Sequence, residues 1–281
     1  MGRDVAIVTD STAYLDSGST SDRDIVVIPL QVIVDGRAFE EGIKIGPAAV
    51  ADALRRRVQV STSRPSPRAF LDAYEAAAAG GAEGIVSVHL SGQLSGTADA
   101  ARLAAREAPV PVEVVDSRSL GMGLGFAVLA AADAAERGLA VDEVAEVARR
   151  RAERSSAYFY VDTLEYLRRG GRIGNASALL GTALAVKPLL HLDGGAIQPL
   201  EKVRTSSRAL ARLGDLAVER AGDVRVDVAV HHLDSVAHAE ALASRLRVSL
   251  PALGDLVVAE VGAVIGAHVG PGLLAVVISP R

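Results

Sequence analysis

The 281-residue sequence has no cysteine and no tryptophan, only two methionines, and nine aromatic residues (four Phe, five Tyr). Without cysteine there is no disulfide, no thiolate nucleophile, no Cys-ligated zinc or iron–sulfur centre, and no cargo held to the chain as a thioester. So few aromatics leave no stacking platform for single-stranded nucleic acid. With 30 basic against 34 acidic residues and a formal net charge of −4, the chain also lacks the basic footprint of a nucleic-acid binder. Lysine is scarce: Lys44, Lys187 and Lys202 are the only ones, and arginine supplies the remaining positive charge. Long hydrophobic runs are missing as well. Val261 to Pro280 is free of Asp, Glu, Lys and Arg over a membrane-spanning length, but its four glycines, His268 and Pro271 make it read as buried strands around a loop. Met1-Gly2-Arg3-Asp4 runs straight into a short hydrophobic strand, without the apolar core of a secretory leader. The expectation is a cytoplasmic protein that is not integral to a membrane.

What is present is aliphatic: 49% of residues are hydrophobic, so Ala, Val, Leu and Ile must build the interior. At about 150 residues per domain the length suits two domains, or one large α/β domain. Short aliphatic runs alternate with longer amphipathic stretches, the pattern of an α/β protein with a largely parallel sheet. Strands are predicted at Val5–Thr9, Ile25–Val34, Gly84–His89 and Val112–Asp116, with helices at Pro47–Arg57, Pro67–Ala79 and Ser95–Arg106. Two helices then follow without a strand, Gly123–Arg137 and Val141–Arg154, and this break divides the chain into 1–155 and 156–281. The second part is predicted to hold strands at Ala157–Val161, Arg225–His231, Asp255–Val261 and Leu273–Ile278. Its helices are predicted at Thr163–Arg168, Ala176–Ala185, Ser206–Ala221 and Ser235–Leu246. Asp193-Gly194-Gly195 between two aliphatic runs marks a hairpin.

In an open α/β sheet, ligands bind beyond the carboxyl ends of the strands. Three polar loops fall there: Asp10-Ser11-Thr12, Ser91-Gly92-Gln93-Leu94-Ser95-Gly96-Thr97 and Asp116-Ser117. In the second, two Ser-Gly pairs allow close backbone approach to a ligand, and Ser95 or Thr97 could cap the following helix, whose N-terminus favours an anion. The spacing matches neither a Walker loop nor a nucleophile elbow. An ordinary capped helix explains the loop equally well. Ser61-Thr62-Ser63-Arg64-Pro65-Ser66-Pro67 reads as a rigid turn before a helix, in which Thr62 or Ser63 could donate to a carboxylate or phosphate. Asp10 lacks the second carboxylate two residues on that a phosphatase nucleophile would need, since Thr12 stands there. His231, His232 and His238 have no suitably spaced partner to complete a metal site, and no cofactor motif is present. His268 is expected in a turn close to buried surface, as a core histidine or as a donor to an anion.

Taken in order, these segments resemble the DegV family of bacterial fatty-acid-binding proteins. The resemblance runs from Val8-Thr9-Asp10-Ser11-Thr12 through Ile28-Pro29-Leu30, Thr62-Ser63-Arg64-Pro65-Ser66, Leu94-Ser95-Gly96-Thr97 and Asp116-Ser117. It continues through Asp162-Thr163-Leu164-Glu165-Tyr166-Leu167, Gly170-Gly171-Arg172-Ile173, Lys187-Pro188 and Lys202-Val203-Arg204 to His268-Val269-Gly270-Pro271-Gly272. It implies two α/β domains with one long-chain fatty acid buried between them, the carboxyl group held by Thr62 and Ser95 with His268 close by. Ser63, Ser91, Gly92, Gly96 and Thr97 would form the supporting loops. It further implies a carrier without catalytic residues, presenting the carboxyl group to a separate ATP-dependent kinase subunit, with Arg172, Lys202 and Arg204 docking that partner or steadying the phosphate. The chain departs from the family pattern at Arg64, often Gln, at Ser91-Gly92, often Ser-Ser, and at Ala98-Asp99-Ala100, commonly Tyr-Gln-Ser. Competing readings are a small-molecule phosphotransferase using the Ser/Gly loop, and a binding protein that senses a ligand.

Overall fold

A computed structural model describes residues 4–179, 187–203 and 205–281. In chain order the elements begin β1 (Val5–Asp10), a 3-10 turn (Ser11–Ala13), α1 (Ser17–Asp22) and β2 (Ile25–Ile28). There follow β3 (Gln31–Val34), β4 (Arg37–Glu40), α2 (Pro47–Arg55) and β5 (Val60–Ser63). The middle of the chain holds α3 (Pro67–Ala79), β6 (Gly84–His89), α4 (Thr97–Ala105), β7 (Val112–Asp116), α5 (Met122–Glu136) and α6 (Val141–Arg154). After it come β8 (Ser156–Tyr160), α7 (Glu165–Arg169), a 3-10 stretch (Gly174–Leu179), β9 (Lys187–Asp193) and β10 (Ala196–Val203). The chain closes with α8 (Ser206–Ala221), β11 (Val226–His232), α9 (Val236–Ser249), β12 (Leu253–Glu260), α10 (Ala263–Val269) and β13 (Leu274–Pro280).

Two compact units result. The first comprises Met1–Gln31 and Ser63–Arg154. Its sheet, ordered β2-β1-β6-β7, is parallel throughout. All six residues of β6 are buried, as an internal strand covered on both faces requires. Phe70, Leu71 and Tyr74 of α3 and Ala100, Ala101 and Ala104 of α4 pack with Val8, Ile28 and Ile85 into one apolar cluster. The ends of α3 follow its sequence: the Ser66 side chain accepts from the Ala69 amide, Pro67 opens the helix, and Gly81 at φ +99° turns the chain away.

The second unit comprises Val32–Thr62 and Ser155–Arg281. It contains a three-stranded sheet, β4-β3-β5, and a six-stranded sheet, β10-β9-β8-β13-β11-β12. In the larger sheet only β11 and β12 run parallel; the other pairs are antiparallel. Helices α8 and α9 bury Leu213, Ala217, Leu242 and Leu246 against Val226, Val228, Val230, Val276 and Ile278. Asp193-Gly194-Gly195 turns the β9–β10 hairpin, with Gly194 at φ +56° and Gly195 at φ +86°.

The structure departs from the sequence expectations in five places. Pro29-Leu30 splits the expected strand Ile25–Val34 into β2 and β3, because proline has no amide to give a ladder. The supposed turn at Ser61–Ser63 is strand β5. The stretch around His268, expected as a loop between strands, contains helix α10. The expected helix Ala176–Ala185 is a 3-10 stretch to Leu179, and its remainder lies outside the described residues. The units differ from a simple 1–155 and 156–281 division in that Val32–Thr62 groups with the later part of the chain. Among the described residues, no helix is long and apolar enough to cross a membrane.

Candidate functional site

In the second unit, α10 carries His268. Every other residue of this seven-residue helix is buried, so packing holds it despite its length. Its N-terminus is fixed by the buried Glu41, whose Oε1 accepts the Val264 amide at 2.7 Å. Strand β5 brings Thr62 to the imidazole: Thr62 Oγ1 and His268 Nε2 are 2.8 Å apart. The opposite edge of the ring lies against Gly170, where a Cβ would run into the imidazole. His268 Nδ1 is buried there with no hydrogen-bond partner. Two glycines that follow His268 allow equally close approach from the other side. Gly270, at φ +74°, lies under the Tyr166 ring, and Gly272, at φ +88°, faces the Asp162 carboxylate. The segments 162–172 and 268–272 therefore interlock, glycine against side chain.

Burial, and secondarily the positive charge of Arg172, push the His268 imidazole down to about 4, so it is neutral at pH 7. Arg172 Nη1 itself donates to the Gly170 carbonyl at 2.6 Å. A proton on Nδ1 would be a donor without an acceptor beside a cation, so the electrostatics assign the proton to Nε2. His268 then donates to Thr62 Oγ1, and the Thr62 hydroxyl retains its own proton to give to an acceptor.

In the first unit, the loop after β6 is anchored by three consecutive amides. Leu90 donates to Asp10 Oδ2 at 3.0 Å, Ser91 to the Ser119 carbonyl at 2.8 Å, and Gly92 to the Asp116 carboxylate at 3.1 Å. The Ser91 carbonyl accepts the amides of Leu94 and Ser95 at 3.0 and 3.1 Å, which closes the turn. Ser95 Oγ and Thr97 Oγ1 are 2.8 Å apart. The expected side-chain cap by Ser95 or Thr97 is not made: Gly96 is the N-cap of α4 and no side chain caps it. Gly96 instead leaves room for the Arg64 guanidinium, which occupies the place of its missing side chain.

The structure thus gathers Thr62, His268 and Arg172 in one cluster, and Ser91, Gly92, Ser95, Gly96 and Thr97 in one anchored loop. Ser91 and Thr97 are buried, and Ser63 is exposed on β5. Lys202 is exposed on β10, in register with Pro188, and Arg204 lies outside the described residues. His231 and His232 project from opposite faces of β11. Burial and, after it, the charge of His232 push His231 down to about 4 although its ring contacts the Ala259 carbonyl. No group of three or more metal-ligating side chains occurs among the described residues.

Sequence reasoning missed a buried chain of polar groups in the first unit. Tyr74 donates to Ser87 Oγ at 2.8 Å, Ser87 Oγ lies 2.7 Å from His89 Nε2, and His89 Nδ1 lies 3.0 Å from Asp10 Oδ2. The connectivity is that of a hydrolytic triad, but Ser87, His89 and Asp10 are all fully buried and Tyr74 occupies the serine oxygen. No substrate carbonyl could reach this serine. The available signal was Ser87 and His89 two residues apart on one face of an otherwise apolar strand.

Comparison with known proteins agrees over the whole chain. The family model described as "Uncharacterised protein, DegV family" matches residues 4–281. A DegV domain-containing protein of Streptomyces coelicolor is 60% identical over 281 residues, covering 100% of both chains. One from Mycobacterium tuberculosis is 39% identical over 273 residues, covering 97% of this chain and 96% of its own. Among solved structures, a DegV family protein from Thermus thermophilus, described by its fatty-acid binding, superposes with a TM-score of 0.93 at 33% identity and 99% coverage of both chains. DegV of Bacillus subtilis, described as a fatty-acid-binding protein, superposes with a TM-score of 0.91 at 31% identity, again over 99% of both chains. Fold, motif order and sequence identity lead to one assignment: the chain belongs to the DegV family.

Proposed function

We propose that this protein is a carrier of long-chain fatty acids. It binds the acyl chain in an apolar pocket, holds the carboxyl group through Thr62 and Ser95 with His268 beside it, and performs no chemistry of its own. The observation that carries this reading is the chain-long likeness to two DegV proteins described as binding fatty acids. The geometry of Thr62 supports it. A hydroxyl that accepts from a neutral imidazole and keeps its own proton suits an anionic acceptor such as a carboxylate.

The energetics of such a ligand favour carriage. An acyl chain of about 16 carbons gains roughly 0.8 kcal/mol per buried methylene, more than 10 kcal/mol gross. The headgroup then needs only enough donors to avoid an unsatisfied buried carboxylate. The carrier presents the carboxyl group, in the cytoplasm, to a separate ATP-dependent kinase subunit that forms the acyl phosphate. Arg172, Lys202 and Arg204 are the basic residues assigned to docking that partner or steadying the phosphate.

The test is the double variant Thr62→Val/Ser95→Ala, purified beside the wild type and assayed for bound fatty acid. It should lose fatty-acid retention while keeping its circular dichroism spectrum and cooperative melting. Retention at the wild-type level would refute the carboxyl assignment.

A further inference from the structure

The carboxylate of Asp10, fully buried at the end of β1, accepts four hydrogen bonds. Thr12 supplies two to Oδ1, from its amide at 3.1 Å and its hydroxyl at 2.6 Å. His89 Nδ1 and the Leu90 amide, both at 3.0 Å, supply two to Oδ2. The proton directions along the rest of the chain are mutually consistent. Tyr74 donates to Ser87, Ser87 donates to His89 Nε2, and His89 is left with Nδ1–H for Asp10. One buried side chain thereby joins the turn after β1 to Leu90, the residue that leads into the Ser91–Thr97 loop. Leu90 is also the first of the three anchored amides that lead into the turn on which Ser95 stands.

We propose that Asp10 is a positioning residue for Ser95: it fixes where the loop leaves β6, and so where the Ser95 hydroxyl stands. The proposal rests on the reading of Ser95 as a ligand of the fatty-acid carboxylate. Asparagine is nearly isosteric with aspartate but has a single acceptor oxygen, and its amide group must face two of the four donors. Either the Thr12 turn or the His89–Leu90 junction is then released.

The experiment compares binding of hexadecanoic acid and of hexadecanol, which share the tail and differ in the headgroup. The proteins are the wild type, Asp10→Asn, Ser95→Ala, the Asp10→Asn/Ser95→Ala double variant, and Tyr74→Phe. Asp10→Asn should weaken hexadecanoic acid about tenfold and hexadecanol by less than about twofold. In the Ser95→Ala background, adding Asp10→Asn should change acid affinity no further. Tyr74→Phe breaks the far end of the same chain without touching the four donors to Asp10. It should lower the melting temperature and leave the acid-to-alcohol ratio unchanged. If Asp10→Asn does not fold, His89→Gln, which withdraws one donor from Asp10, should reproduce the loss of ratio with smaller amplitude. Equal loss of acid and alcohol, full additivity with Ser95→Ala, or wild-type binding by Asp10→Asn would overturn the proposal and leave the carrier reading standing. Failure of the wild type to bind hexadecanoic acid would overturn the carrier reading, and this proposal with it.

Discussion

The neutral His268 imidazole has a consequence for stability. An unfolded chain binds a proton at this histidine below about pH 6.5, whereas the folded protein resists until about pH 4 because of burial and, next, Arg172. Between those values the unfolded state holds more protons, so stability rises with pH across the window. The contribution is fully present above about pH 6.5 and is lost as the pH falls to about 4. Displacing the midpoint that far corresponds to on the order of 3 kcal/mol. Carboxylates and His231 titrate in the same range, so the comparison is with His268→Gln, which keeps a polar group near Thr62 but does not titrate. Urea unfolding from pH 7 to pH 4 should show the wild type losing on the order of 3 kcal/mol more than the variant. Proton NMR of the folded wild type should place the His268 midpoint well below those of exposed histidines. Arg172→Gln should raise that midpoint only part of the way, since burial is the larger cause. Parallel pH dependence of wild type and variant, or a His268 midpoint between 6 and 7, would refute the reasoning.

Two further substitutions test the frame around His268. Gly170→Ala is tolerable to the backbone, with φ −73°, but its Cβ would enter the imidazole and lie 3.2 Å from the Tyr166 carbonyl. It should cost about 1–3 kcal/mol in thermal or urea unfolding and displace the His268 NMR signals. Glu41→Ala removes the carboxylate that anchors the first turn of α10. It should cost about 1–2 kcal/mol, measured in the same way.

The legible parts of the fold are those whose local chemistry and tertiary setting agree. Gly84–His89 is a continuous buried run and becomes an internal strand, α3 carries its start signal at Ser66-Pro67 and its stop at Gly81, and Asp193-Gly194-Gly195 makes the hairpin it announces. Ala263–Val269 is apolar except for His268, holds a glycine and has no capping side chain, so periodicity cannot separate it from a strand. Val60-Ser61-Thr62-Ser63 is rich in hydroxyls and only four residues long, which reads as a turn until β3 pairs with it. The site divides in the same way. The Ser91–Thr97 loop stands out by composition, whereas the roles proposed for Thr62, Ser95 and His268 rest on resemblance. The 2.8 Å contact between Thr62 and His268 joins residues 206 apart in sequence, and nothing local announces it. The packing of Gly170, Gly270 and Gly272 against His268, Tyr166 and Asp162 exists only once the segments 162–172 and 268–272 meet. In sequence Asp10 reads as a phosphatase nucleophile without its second carboxylate; its four buried hydrogen bonds make it an anchor.

The carrier reading is tested most directly by extracting the purified protein with organic solvent and identifying the released lipid by mass spectrometry, before and after incubation with a mixture of long-chain fatty acids. A carrier should release close to one equivalent of non-esterified long-chain fatty acid per chain. A protein that carries none and takes none up from the mixture would contradict it.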